Sequence, residues 1–238
     1  MKKCLSVLAA FTLISSMSLA FAQENYPDQA SVEIRQEFEA SFGPIKLYKA
    51  IKIHLPEQYE ELFRSYEKAK RADDMGELKL ASFINSIRRT HLQQSSDQAI
   101  LAFYDHIVRT GRQILQQDPE AAFSYLFGGN PGSYASYVDY ETELEFLGDL
   151  FDRILASSRP ENALAIDRQD VEITLNMIYL GLFQKHGEPF FLLHGDRSQL
   201  SSSERYQLCD IYLGMHEEIF QLPSPSRGHV LRSFAMRL

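Results

Sequence analysis

One spacing recurs along nearly the whole chain and leaves room for little except helix. Tyr59, Leu62, Phe63, Tyr66 and Ala69 stand at i, i+3, i+4, i+7 and i+10, one face of a 3.6-residue period. Leu80, Ile84, Ile87 and His91 repeat it in a helix expected to start at Asp73-Asp74. Ile100, Leu101, Tyr104, Ile107, Val108, Ile114 and Leu115 repeat it again, as do Leu144, Leu147, Phe151, Ile154 and Leu155. A further helix, from Asp170, carries Ile173, Met177, Leu180 and Phe183. No segment alternates apolar and polar residues as a half-buried strand does.

Start and stop signals divide this pattern. Pro27-Asp28 opens the first helix, which stops at Gly43-Pro44, and Pro56 suits a first helical position. Glu60 precedes Arg64 by four residues, the favoured order for a supporting ion pair. Ser95-Ser96-Asp97-Gln98 and Ser201-Ser202-Ser203-Glu204 have capping-box spacing. Asp118-Pro119 is a cap followed by a first-turn proline, and Pro160 ends the helix over Glu141 to Ser157. The expected fold is all-α, a single irregular domain of about nine or ten helices. No repeat of fixed period marks a solenoid. The widest break, Gly128 to Tyr140, is the one candidate sub-boundary within residues 23–238.

The first 22 residues read as a cleaved signal peptide. Lys2 and Lys3 precede an apolar run from Leu5 to Leu19, and Ala20-Phe21-Ala22 is a small-x-small cleavage site. The run falls short of the roughly 20 residues of a membrane span, and Cys4 lies on the wrong side of it for lipidation. A periplasmic or secreted protein is expected, with no membrane span in the mature chain. Without Lys2 and Lys3 the mature protein has 22 basic against 32 acidic residues, a net charge of −10. That balance disfavours nucleic acid, which calls for clustered Lys and Arg. Only Cys209 remains after cleavage, so no intrachain disulfide is available. Burial on the line of Tyr206, Leu213 and His216 is its expected role.

Little in the chain looks like chemistry. The stretch KHGEPFFLLHGD holds His186-Gly187-Glu188 and His194-Gly195-Asp196. Lys185 and His186 suit the end of a helix, Gly187 its left-handed cap, and Pro189 bars continuation. Phe190 to Leu193 then form an apolar plug. His186 and His194 share no helical face, as two zinc ligands on one helix would. His216-Glu217-Glu218 begins like H-E-x-x-H, but Phe220 stands where the second His belongs. Neither a metal nor a cofactor is expected. Gly128-Gly129-Asn130-Pro131-Gly132-Ser133 lacks the lysine and the preceding strand of a phosphate loop.

Two features suit recognition. Glu141, Glu145, Asp149 and Asp152, spaced by four, four and three, line one helix face; solvent or a basic partner would answer them. Before them, Tyr134, Tyr137 and Tyr140 are spaced by three in a loop rich in Gly, Ser and Asn, chemistry shared with antibody binding loops. The tyrosines either pin the loop to the core or, with Asn130 and the acidic stripe, form one contact surface for a basic protein. The expected function is an exported, non-catalytic helical protein binding another envelope macromolecule, as an adaptor or immunity-like protein does. The alternative is an envelope hydrolase with a site near His186, His194 and His216.

Overall fold

A computed structural model describes residues 29–75, 78–164 and 166–235. The expected signal peptide and the expected helix start at Pro27-Asp28 lie outside the described residues. The described chain is all helix and turn, with no strand among its residues. The helices are α1 (Gln29–Phe42), α2 (Lys46–His54), α3 (Pro56–Arg71), α4 (Leu80–Gln94), α5 (Asp97–Leu115), α6 (Pro119–Phe127), α7 (Tyr140–Ser157), α8 (Pro160–Leu164), α9 (Arg168–His186), α10 (Ser202–Phe220) and α11 (Ser226–Ala235). Short 3-10 turns occupy Pro131–Ser133, Ala135–Tyr137 and Glu188–His194.

Several boundaries differ from the sequence expectation, each for a local reason. Asp73 does not start a helix. Its φ of 52° puts it in the left-handed region, which Asp tolerates better than most residues, and it closes α3. Ser96, not Ser95, caps α5 by accepting from the Ala99 amide, while buried Ser95 donates to the Leu92 carbonyl and closes α4. Asp167 takes the cap expected of Asp170, accepting from the amides of Gln169 and Asp170. Glu60 reaches Arg35 of α1 with both oxygens, at 2.8 and 2.6 Å, a bidentate fork that its intrahelical neighbour does not form. The Asp118-Pro119 start and the Ser201–Glu204 capping box are as expected.

Three apolar clusters hold these helices. The first gathers α1 to α4 around Phe38, fully buried, whose ring meets Phe42, Tyr59, Phe63 and Tyr66 at centroid distances of 4.9–5.4 Å. The second joins α5, α9, α10 and α11 through Ile100, Tyr104, Leu175, Ile211, Met215 and Leu231. The third packs α6 against α5 and α10 through Ala121, Ala122, Ile114, Cys209 and Leu213. Helix α7 lies between the first two. Phe151 and Leu155 enter the first cluster, Leu150 and Ile154 the second. Adjacent residues diverge by about 100° around a helix, so each pair splits between two sides.

Helix α2 crosses α7 at Gly148. A Cβ there would run into the Cβ of Lys46 and lie 3.2 Å from the Leu47 amide nitrogen. Gly148→Val is therefore expected to force α2 away from α7 and lower stability by about 1–3 kcal/mol, the usual cost of overpacking. The chemical denaturation midpoint measures it; a wild-type midpoint would mean that the crossing is loose.

Candidate functional site

The loop between α6 and α7 is tied back onto the protein. Gly128 ends α6 with a φ of 83°, where glycine is favoured. Asn130 is exposed, and its Oδ1 accepts from the Gly132 amide at 2.9 Å. Tyr134 is half-buried, edge-on to Tyr125 at 5.3 Å. The Tyr137 hydroxyl donates to Asp118 Oδ2 at 2.9 Å, and both tyrosines pack on the third cluster. Asp118 already accepts from the Glu120 and Ala121 amides, so one carboxylate caps α6 and anchors the loop. Backbone donation from Ala121, then Tyr137, holds its pKa below the usual aspartate value. The Tyr140 side chain lies outside the described parts.

All four carboxylates of the stripe are exposed, and two have partners within the chain. Asp149 pairs with Lys46 at 2.9 Å and Asp152 with His54 Nε2 at 2.8 Å. Lys46 and His54 are the two ends of α2, so a basic partner for the lower stripe is α2 itself. Glu141 and Glu145 sit beyond it, in the first two turns of α7.

The three histidines occupy separate environments. His216 is 1 % exposed, stacked on Tyr104 at 5.3 Å and bounded by Tyr212 and Phe234. Its Nδ1 lies 2.9 Å from the Tyr212 carbonyl and so must donate, while Nε2 is buried without a hydrogen-bond partner. Burial pulls its pKa down to about 4, against a smaller raising effect from the Tyr212 carbonyl. His194 is exposed at the end of the 3-10 turn that buries Phe190, edge-on to Tyr179 at 5.8 Å. His186 closes α9 before Gly187, whose φ is 69°. Among the described residues no three His, Cys, Asp or Glu side chains gather as a metal site would require. Cys209 is fully buried, and burial pushes its thiol up to about 12, away from the nucleophilic thiolate.

No family model, curated protein or solved structure matches this chain.

The feature with the greatest capacity for contact is the stripe of Ile173, Met177, Leu180 and Phe183, which the sequence set in the same pattern as the core-facing stripes and the structure exposes instead. On α9, Val171, Leu175 and Leu182 are buried, yet the opposite face is also apolar. Ile173 is 52 % exposed, Met177 71 %, Leu180 58 % and Phe183 41 %. Phe191, 58 % exposed, continues the patch and touches Phe183 at 5.6 Å between centroids. A helix apolar on both sides is ordinarily buried all round. Here one side faces solvent, flanked by clefts of about 410 and 460 Å³. The first is floored by Val171, Leu175 and Tyr179, the second by Ile178, Leu182 and Leu222. Two interleaved apolar stripes in one helix were the available signal; spacing alone does not say which stripe faces in.

Proposed function

We propose that the protein is an exported, non-catalytic helical binding protein of the cell envelope that works in an assembly, adaptor- or immunity-like in character. The exposed apolar face of α9 carries this reading. An apolar patch of that size is often functional, and here it is concentrated on one helix. The hydrolase alternative lacks comparable support: His216 is sealed among aromatic rings, and a catalytic base must reach substrate. A basic protein is engaged at the acidic start of α7, where exposed Glu141 and Glu145 stand beyond the stretch answered by α2. Asn130 and the Tyr134–Tyr137 turn form the rest of that contact. A mature chain with a net charge of −10 favours such an encounter electrostatically.

The expected result is recovery of the protein from the exported fraction with Gln23 as its first residue, by intact mass. It should capture an envelope protein in a salt-sensitive manner. Glu141→Lys/Glu145→Lys should weaken that capture by about tenfold, equivalent to 1.4 kcal/mol. Equal capture by wild type and variant at every salt concentration would refute the acidic contact; a cytoplasmic protein retaining Met1 would refute export.

A further inference from the structure

We propose that the apolar face of α9 seats a second copy of this chain, packed antiparallel about a two-fold axis between Met177 and Leu180. The proposal names the occupant of a face that the functional reading takes as a contact surface, and rests on that reading.

The face is complementary to itself in one orientation. Ile173, Met177, Leu180 and Gln184 are spaced by four, three and four, the spacing of a two-helix seam. An antiparallel two-fold sets Met177 of each copy against Leu180 of the other, and Ile173 against Gln184. An isologous contact requires this reciprocity of unlike positions. Charge selects the same orientation. Exposed Asp170 lies at the start of α9 and exposed Lys185 at its end, on the same flank of the seam, while Arg168 and Glu172 lie on the side away from it. Antiparallel packing brings acidic start to basic end in both halves, and opposes the helix dipoles favourably. Parallel packing would set like charge on like.

Shape agrees. Gly181 and Thr174 lie on one flank of the seam, and a Cβ built on Gly181 meets nothing within 4 Å. The surface is open there, and a hydrogen in place of a side chain lets the Thr174 of the second copy approach closely. The exposed parts of Ile173, Met177, Leu180, Phe183 and Phe191 amount to roughly 500 Å² of apolar surface, against about 800 Å² per partner in a standard interface. The acidic start of α7 is on a different helix, so a dimer would carry two partner-binding ends and gain avidity for a multivalent target.

Sedimentation equilibrium of the exported full chain is the test. The wild type should be a dimer, and Met177→Lys/Leu180→Lys should weaken self-association by at least about a hundredfold. Circular dichroism should be unchanged, because both side chains point away from the protomer's own core, while the melting temperature should lose the dependence on protein concentration that a dimer shows. Orientation is read from disulfides: Ile173→Cys mixed with Gln184→Cys should cross-link under mild oxidation, whereas Ile173→Cys alone should not. A wild-type monomer at all concentrations overturns the proposal, as does a dimer that survives the double lysine variant. Efficient self-cross-linking of Ile173→Cys overturns the antiparallel arrangement. None of these outcomes alters the Glu141→Lys/Glu145→Lys capture result, so the dimer and the acidic contact can fail separately.

Discussion

Asp97→Ala is expected to cost about 3–5 kcal/mol, the range for stripping the partner from a buried charge. Arg232 of α11 is 4 % exposed, and its guanidinium donates to Asp97 Oδ1 at 2.7 Å and to the Ser95 carbonyl at 2.8 Å. The same carboxylate accepts from Ser224 Oγ at 3.0 Å. It lies so close to Gly228 that any Cβ there would run into it. Asp97 thus joins the N-terminus of α5 to the last helix at Arg232 and Gly228, and to the turn before it at Ser224. Alanine would leave a full positive charge inside the protein with one neutral carbonyl for company. It would also remove the acidic residue from the first turn of α5, where the helix dipole favours it. The converse change is milder, since Asp97 is 36 % exposed in its pair and can take water when Arg232 is replaced by Met. The melting temperature should fall by about 10 °C for Asp97→Ala, given about 2–4 °C per kcal/mol for a chain of this size. A fall of less than about 3 °C would show that water reaches the guanidinium.

The second large effect is a loss of stability in acid that traces to one ring. His216 has a folded pKa pulled down to about 4 by burial, against about 6.5 for an unperturbed histidine. Above pH 6.5 the ring is neutral in both states and contributes no pH dependence. Between about 6.5 and 4 the unfolded chain binds a proton that the folded chain does not, so stability falls as pH falls. The loss reaches about 3 kcal/mol by pH 4 and then levels off for this group. His216→Leu should remove that part of the slope while keeping an apolar side chain of similar size against Tyr104. Urea midpoints at pH 7 and pH 4.5 for both proteins measure the difference. If the two lose equal stability across that interval, the acid sensitivity belongs to other groups.

The helices were legible because a 3.6-residue period survives any tertiary arrangement, and the caps at Asp118 and Ser201 act within four residues of themselves. Where neighbouring residues could each serve, local pattern was insufficient. Ser95 and Ser96 both have a hydroxyl, and the buried carbonyl of Leu92 decides which of them caps. The acidic stripe on α7 was legible as a stripe. Its pairing with Lys46 and His54 was not, because those residues lie about a hundred positions away and reach it through the Gly148 crossing. Met177 marks the limit most plainly. An apolar residue in helical register is normally assigned to the interior, and the stripe of Leu175 and Leu182 had equal claim. Only packing assigns inside and outside to such a helix.

The position of α7 bears on how the chain comes apart. Helices at a surface usually retain a forgiving side, where substitutions cost little. Over Leu150 to Leu155 this one offers an apolar cluster to both flanks. Dissolving the α1–α4 cluster would bare Phe151 and Leu155; dissolving the other would bare Leu150 and Ile154. Neither half can melt while leaving α7 content, so the two cores stand or fall as one cooperative unit. Sequence drift in a descendant of this chain would accordingly be confined most tightly to those six positions, and only two of the six, Asp152 and Arg153, face solvent.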